Sequence, residues 1–212
     1  MKLFGYWRSS AAYRVRIAVN LKNIDVESVP VHLVKNGGEQ HSSDYVSVNP
    51  THLVPTFIDD DIVLNQSLAI IDYLDAKFPE VALYPENIND KALVQALSLD
   101  VACEIHPVNN LRVQQYLANH LGADEQAKLA WSHHWMTTGF AAVEEKLTKT
   151  AGLYCFGDNV TVADLCLIPQ VYNANRFKVD MTPFPIINAI VERCNQLPAF
   201  IKALPENQPD AV

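Results

Sequence analysis

The sequence predicts a two-domain protein, with an α/β layer followed by an all-helical part. Strand-like and helix-like segments alternate over roughly the first 80 residues, which is typical of an α/β layer with mixed strand directions. The stretch "FPEVALYPENIND", rich in Pro, Asn and Glu, then indicates a linker. Beyond it, apolar residues recur at helical spacing, as in Leu93, Leu97 and Val101. We therefore predict an α/β domain over residues 1–83 and an all-α domain over residues 88–212.

The composition limits the classes of partner. The chain has 212 residues, of which 49% are hydrophobic, which is enough to bury a sizeable core. A net charge of −8 argues against nucleic acid or an anionic membrane as partner, so a local cationic cluster would have to hold any anionic ligand. No apolar run is long enough to span a bilayer, and the start lacks the apolar core of a signal peptide, so we expect a cytoplasmic protein.

The cysteines show no metal-binding pattern. There are four of them, without CxxC spacing and without a histidine pair at zinc-ligand spacing: Cys103, Cys155, Cys166 and Cys194. We predict no metal site and reduced, mostly buried thiols.

The first elements predict a β-α-β unit. "KLFGYW" is a short apolar strand, and the serine pair that follows begins a helix whose buried face is Tyr13, Ile17 and Leu21. "DVESVPVHL" is the second strand, where Pro30 indicates an edge position or a bulge.

A short helix, a hairpin and a longer helix complete the α/β layer. We expect the short helix over residues 42–48. "TFI" and "IVL" flank three aspartates, which predicts a tight turn between antiparallel strands. "NQSLAIIDYLDAKF" predicts a helix that Pro79 ends, with one apolar face made of Leu68, Ile71, Leu74 and Phe78.

The turn before the first helix has two interpretations. Ser9 and Ser10 lie where the amides of a helix N-terminus lack partners, and a capping serine is the ordinary reason for a hydroxyl there. Arg8 beside them favours an anion site, because a cap needs no guanidinium, whereas a helix dipole, two hydroxyls and a cation suit a thiolate or a carboxylate.

Two further stretches can be interpreted either as ordinary structural features or as parts of a binding site. Pro55 is tolerated at the start of a strand, where a trans bond is the default, whereas a cis Val54–Pro55 bond would turn the Val54 backbone outward to pair with an extended peptide. Gln66 and Ser67 are ordinary residues before a helix, yet they open a second helix N-terminus in the same domain, and such ends also bind carboxylates. Two anion sites in one domain would suit a ligand with more than one negative group.

Six motifs spread over the chain form a recognisable set. They are "SSAAYRVRIA", "LVPTF" and "NQSLAIIDYL" in the first half, and "IHPVNNLRV", "FGDNVTVADLCLIPQV" and "RFKVDMTPFP" in the second. Together they resemble the zeta class of glutathione transferases over essentially the whole chain. "VP" and "QS" are shared by most glutathione transferases, so the specific part is the Ser-Ser turn with "RVRIA", "HPVNN" and "RFKVD".

The resemblance implies the glutathione transferase fold, with a thioredoxin-like first domain that binds glutathione. Ser9 and Ser10 would lie near the glutathione sulfur, and the Val54 backbone, with Pro55 in the cis form, would pair with the cysteinyl unit. Residues that would hold the rest of the tripeptide are Gln66 and Ser67 at the γ-glutamyl carboxylate, with Gln40 and His106 helping to place it.

The helical domain would complete this site and bind the substrate. Taken alone, His106 and Asn110 could equally be structural, and Arg176 would be a solvated surface arginine. By resemblance, His106, Asn110 and Arg112 would complete the glutathione site and the substrate pocket. Arg8, Arg112 and Arg176 would form a positive pocket for a substrate with two carboxylates.

The implied activity is cis-trans isomerisation of maleylacetoacetate, a step of tyrosine and phenylalanine catabolism, with glutathione as cofactor. The thiolate would add to the double bond, rotation would follow in an enolate adduct, and glutathione would be expelled, with Ser9, Ser10, Arg8 and Arg176 as the catalytic groups. The resemblance also implies a homodimer. Alternatives are isomerisation of maleylpyruvate, a general glutathione transferase or peroxidase, and a non-catalytic binding module.

Two motifs refine this interpretation. Zeta enzymes typically have cysteine as the third residue of the Ser-Ser-Cys turn, and Ala11 stands there, so we expect serine alone to lower the pKa of bound glutathione, with Ser9 the first choice. Thr161 and Asp164 have the spacing of a capping box before an apolar run, so we assign them to folding.

Overall fold

A computed structural model describes residues 1–212, and the chain divides into two compact units. The first contains Met1–Ala82 together with Gln196–Val212, and the second contains Leu83–Asn195. The predicted domains, 1–83 and 88–212, do not include this return of the C-terminal segment. As functional boundaries they stay a prediction.

A four-stranded mixed sheet forms the centre of the first unit. Its strands are β1 (Lys2–Gly5), β2 (Glu27–Pro30), β3 (Thr56–Asp59) and β4 (Ile62–Asn65), arranged in the order β2-β1-β3-β4. β1 pairs in parallel with β2 and antiparallel with β3, and β3 and β4 form the predicted hairpin. β2 is an edge strand, which confirms the position inferred from its proline.

The helices of this unit follow the predicted order, with one addition. They are α1 (Ser10–Leu21), α2 (Ser43–Val48), α3 (Ser67–Lys77) and, from the C-terminal segment, α9 (Pro198–Ala203). α9 packs against α1. The sequence did not predict that α9 belongs to this unit. Apolar periodicity shows that a helix has a buried face, but it does not show which unit that face packs against.

The buried face of α3 differs slightly from the predicted one. Ile70, Ile71 and Leu74 are fully buried, whereas Leu68 and Phe78 are half-buried. The helix ends before Pro79 as predicted. At this end, Lys22 Nζ donates a hydrogen bond to the Phe78 carbonyl at 2.8 Å. The buried face of α3, which packs against α1, therefore includes Ile70 in addition to the predicted Ile71 and Leu74.

The strand register brings four loops to one end of the sheet. Gly5 pairs with Pro30, Phe4 with Thr56, and Thr56 with Asn65. The chain therefore leaves β1, β2 and β4, and enters β3, at the same end. The segments that begin or finish there include 6–10, 31–42, 54–55 and 66–67, which contain every site residue predicted in the first domain.

The second unit is all-helical, as predicted. Its helices are α4 (Ile88–Leu99), α5 (Leu111–Leu121), α6 (Glu125–Thr150), α7 (Val162–Arg176) and α8 (Pro185–Cys194), and a π-helical segment, Asp100–Ile105, follows α4. The mostly buried thiols are confirmed, since three of the four cysteines are buried and Cys103 is exposed. None of the helices has both the length and the apolar content needed to cross a bilayer.

The predicted capping box at the start of α7 is present. The Thr161 backbone N–H donates to Asp164 Oδ2 at 2.8 Å, and the Thr161 hydroxyl donates to the same oxygen at 3.0 Å. Asp164 Oδ1 also accepts from the Cys155 N–H at 2.9 Å. Complete burial raises the pKa of the Asp164 carboxyl, and these hydrogen bonds oppose that shift.

We expect Thr161→Ala to lower the free energy of unfolding by about 1 kcal/mol or more, because the substitution removes a buried donor to Asp164. Urea denaturation measures the loss. Thr182→Ala is the matched control, because the Thr182 hydroxyl makes a similar bond to Asp180 at an exposed turn. Equal losses in the two variants would contradict a special contribution from the buried box.

Candidate functional site

The serine turn opens α1 at the common end of the sheet. Ser9 is the N-cap residue, and its Oγ accepts a hydrogen bond from the Ala12 N–H at 3.2 Å. The capping interpretation is thereby confirmed, but it uses only a lone pair of the hydroxyl, which can still donate its proton. Ser10 is the first helical residue and is buried.

Arg8 is held beside this turn by aromatic side chains. Its Nη2 donates to the Tyr6 hydroxyl at 3.0 Å, and its guanidinium carbon lies 4.6 Å from the centre of the Trp7 ring. Stacking of this kind restricts a long side chain and leaves its charge intact. The structure therefore places a half-buried cation immediately before the two serines.

The Val54–Pro55 peptide bond is cis, as the resemblance implied and as spacing alone did not favour. The N–H and C=O groups of Val54 make no hydrogen bond within the protein. Both groups are therefore available to pair with an extended peptide.

Three side chains that sequence reasoning missed support this segment. The Tyr45 hydroxyl and Asn49 Nδ2 donate to the Leu53 carbonyl at 2.6 and 2.9 Å, and Asn49 Nδ2 also donates to Thr56 Oγ1 at 2.8 Å. Burial raises the pKa of the Tyr45 hydroxyl, so it remains a donor. The only signal in the sequence was the polar Asn49 ahead of an apolar strand.

Gln40 is buried in a cradle that a glycine makes possible. A Cβ atom on Gly38 would lie 2.6 Å from Gln40 Nε2, and Gly38 has φ of +100°. Gln40 Nε2 donates to the Leu33 carbonyl at 3.3 Å and lies 3.1 Å from His41 Nε2, while Gln40 Oε1 has no partner. A buried acceptor without a partner is available for a donor of a ligand.

Gln66 and Ser67 do not cap α3. Gln66 occupies the N-cap position with φ of +68° and makes no capping bond through its side chain. The Ser67 hydroxyl instead accepts from Arg14 Nη1 at 3.1 Å. The ordinary capping interpretation is therefore wrong here, and a left-handed conformation of a non-glycine residue is a feature that clusters at functional sites.

Arg14 is a further residue that sequence reasoning missed. It lies on α1 with 2% of its surface exposed, although arginine is among the residues least often buried. Its position, three residues before Ile17 on the apolar face, is the sequence signal that could have revealed it. It brings a cation to the start of α3.

In the second unit, His106, Asn110 and Arg112 follow the π-helical segment. Asn110 is the N-cap of α5, and its Oδ1 accepts from the Arg112 N–H at 3.2 Å. His106 is half-buried and Arg112 is exposed. Asn110 therefore has a structural bond in addition to any part in binding.

Arg176 is the last residue of α7. Its Nη1 donates to Asn173 Oδ1 at 3.4 Å, and its guanidinium carbon lies 5.0 Å from the centre of the Phe177 ring. The carbonyl of Phe177 lies 2.7 Å from His133 Nε2 of α6, within hydrogen-bonding distance. His133 thus holds the end of α7, and Asn173 and the Phe177 ring orient the Arg176 guanidinium.

Comparison with known proteins identifies the family. The glutathione S-transferase N-terminal domain matches residues 1–76. A Vibrio cholerae protein named "Probable maleylacetoacetate isomerase" is 53% identical over 209 residues, which cover 99% of this chain and 97% of that protein.

Solved structures agree with this match. The holo structure of a maleyl pyruvate isomerase, described as a bacterial zeta-class glutathione S-transferase, has a TM-score of 0.97 at 43% identity and full coverage of both chains. The maleylacetoacetate isomerase of Methylobacterium extorquens AM1, solved with malonate and glutathione, has a TM-score of 0.95 at 38% identity, also with full coverage of both. The chain is therefore a member of the glutathione S-transferase family, in the zeta class that contains the maleylacetoacetate and maleylpyruvate isomerases.

Proposed function

We propose that the chain is a glutathione-dependent isomerase that converts maleylacetoacetate to fumarylacetoacetate in the breakdown of tyrosine and phenylalanine. The observation that carries the proposal is the serine turn at the N-terminus of α1 in a chain of this family. Relatives named for this activity at up to 53% identity support it.

Groups of the first unit that suit each part of glutathione support the proposal. The start of α1, with Ser9, suits a sulfur anion. The unbonded backbone of Val54 suits the extended peptide, and the start of α3, where Arg14 lies behind Ser67, suits the γ-glutamyl carboxylate. Gln40 has a buried acceptor ready for a donor of the tripeptide.

Bound glutathione would supply a thiolate that adds reversibly to the substrate double bond and so allows rotation about it. The serine turn would stabilise that thiolate. Because Ser9 Oγ already accepts from the Ala12 N–H, its proton is free to point toward the sulfur. The positive end of α1 and the Arg8 guanidinium add to this stabilisation.

Arginines would bind the substrate carboxylates and stabilise the negative charge that develops on the substrate oxygen. A guanidinium binds a planar carboxylate through two parallel hydrogen bonds. We assign this role to Arg112 and Arg176 of the second unit, with Arg8 beside the serines. We further propose that His106 and Asn110 help to bind glutathione, and that the protein is a cytoplasmic homodimer.

Maleylpyruvate is the second candidate substrate, favoured by the maleyl pyruvate isomerase with a TM-score of 0.97. Retention on immobilised glutathione, followed by isomerisation assays on both acids at catalytic glutathione, tests the proposal. Consumption of glutathione in proportion to product would instead support a general transferase. Absence of both activities would support a non-catalytic module.

We expect Ser9→Ala to lower kcat by about 100-fold while changing glutathione affinity much less, because the lost donor acts on the thiolate. Ser42→Ala is the matched control, since Ser42 caps α2 in the same way without lying at the serine turn. Ser10→Ala, measured in parallel, shows which hydroxyl acts on the sulfur. Unchanged turnover in Ser9→Ala would remove Ser9 from the mechanism.

We expect Gly38→Ala to raise the Michaelis constant for glutathione by about tenfold, because the added methyl would displace the Gln40 amide. Gly37→Ala controls for backbone strain, since Gly37 has φ of +79° but open space around a Cβ atom. Steady-state kinetics with glutathione varied measure both. Equal effects would show that strain, and not Gln40, is responsible.

We expect Arg176→Ala to raise the Michaelis constant for dicarboxylate substrates by about tenfold or more, while sparing a neutral acceptor such as a chloronitrobenzene. Arg176→Lys keeps the charge without the planar fork and should lie between wild type and Arg176→Ala. Equal losses on charged and neutral substrates would argue against carboxylate binding.

A further inference from the structure

The backbone of the serine turn is held by a residue near the other end of the sequence. The Trp7 N–H donates to Asp210 Oδ2 at 3.0 Å, across a separation of 203 residues. Trp7 lies two residues before Ser9, and the Ser9 N–H in turn donates to the Tyr6 carbonyl at 2.9 Å. Asp210 therefore holds a peptide group of the turn two residues before Ser9.

A second connection joins the same turn to α9. Arg16 of α1 donates from Nη2 to the Trp7 carbonyl at 3.0 Å and from Nε to the Ala203 carbonyl at 3.1 Å. Asn20, one turn further along α1, donates to the Ala199 carbonyl at 3.0 Å. Both polar groups of the Trp7 backbone are thus bonded to side chains, and the Trp7 carbonyl is linked through Arg16 to α9.

The segment that carries Asp210 is itself braced. The Gln208 side chain donates to the carbonyls of Lys202 and Leu204 at 3.0 and 2.8 Å, and Asn207 Nδ2 donates to the Ile201 carbonyl at 2.7 Å. Pro205 is buried. Asp210 is therefore presented by a folded segment that is anchored on α1 through α9.

We propose that Asp210 is a positioning residue for Ser9, which holds the serine turn in the geometry that activates the glutathione sulfur. The inference rests on the proposed function. Asp210 contacts the backbone of Trp7, so its effect on the chemistry passes through the turn. A small displacement of a catalytic donor is costly, since catalysis depends on the distance between donor and reacting atom.

The negative charge of Asp210 and its hydrogen bond to the turn would shift the pKa of the glutathione thiol in opposite directions. A carboxylate near a thiolate would by itself raise the pKa of the thiol, because like charges repel. A positioning role requires only an acceptor for the Trp7 N–H. Asp210→Asn keeps an acceptor oxygen and removes the charge, whereas Asp210→Ala removes both, so the two variants separate position from electrostatics.

The first measurement is hydrogen exchange of residues 3–12 in the full chain without glutathione. We expect Asp210→Ala to accelerate exchange in this segment by about tenfold, the factor for loss of one hydrogen bond of ordinary strength, and Asp210→Asn to stay within about twofold of wild type. Asn188→Ala is the matched control, because it removes an asparagine-to-carbonyl hydrogen bond of the second unit, outside both the turn and the segment that carries Asp210.

The second measurement is the pKa of the bound glutathione thiol, from the ultraviolet absorbance of the thiolate. We expect Asp210→Ala to raise it by about half a unit to one unit and to lower kcat about three- to tenfold, with the Michaelis constant for the acid unchanged. In a Ser9→Ala background the same substitution should have little further effect on the thiol. Asp210→Glu, which moves the acceptor by one methylene, gives a milder variant if Asp210→Ala folds poorly.

The outcomes are distinguishable. A wild-type protein that does not lower the thiol pKa overturns the proposed function and this inference together. A lowered thiol pKa that is unchanged in Asp210→Ala overturns the inference alone, as does an equal effect of Asn188→Ala. Faster exchange with a raised thiol pKa in Asp210→Ala, and near wild-type behaviour in Asp210→Asn, supports it.

Discussion

The hydrogen bond from Arg14 to Ser67 joins the starts of the two helices that the candidate site uses. Arg14 belongs to α1, which Ser9 caps, and Ser67 is the first residue of α3. Removing a guanidinium from water is costly, so a buried arginine has to be compensated by partners or by a nearby negative charge. Because Ser67 Oγ accepts from Arg14, the Ser67 proton remains available for an anion. A ligand carboxylate that accepts from Ser67 would lie close to the Arg14 guanidinium, and opposite charges attract.

The sequence predicts those parts of the fold and site that local rules determine. The Ser9 cap, the edge position of Pro30 and the Thr161–Asp164 box each depend on residues that are close along the chain. The Arg14–Ser67 bond and the Trp7–Asp210 bond span 53 and 203 residues, and periodicity reports that a position is buried, not which distant group meets it. The left-handed conformation of Gln66 escapes prediction for the same reason, because only tertiary packing holds a non-glycine residue there.

In the second unit, α6 supports the segments that carry the other predicted residues. Trp131 donates to the Val108 carbonyl at 2.8 Å, beside His106 and Asn110, and His133 lies 2.7 Å from the Phe177 carbonyl, beside Arg176. Gly139 of the same helix leaves room for the side chain of Ile105, against which any Cβ atom would collide. Both segments that carry predicted site residues of this unit are thus supported by one long helix. Two of these supports, Trp131 and His133, lie in the stretch "WSHHW" of α6.

The absence of cysteine from the serine turn leaves the chemistry to a thiol that the protein binds. Ala11 occupies the position where zeta enzymes typically have cysteine, and a serine hydroxyl does not ionise near neutral pH, so Ser9 can donate a hydrogen bond but is a poor nucleophile. The chain's own buried thiols are also unsuited, because burial raises the pKa of Cys155 and of Cys194, and only a thiolate reacts readily. Cys103, the exposed one, lies on the π-helical segment of the other unit. The first unit, which contains the start of α1, has no cysteine of its own, so a thiolate nucleophile within this unit comes from a bound thiol, which is the part that glutathione takes in this family.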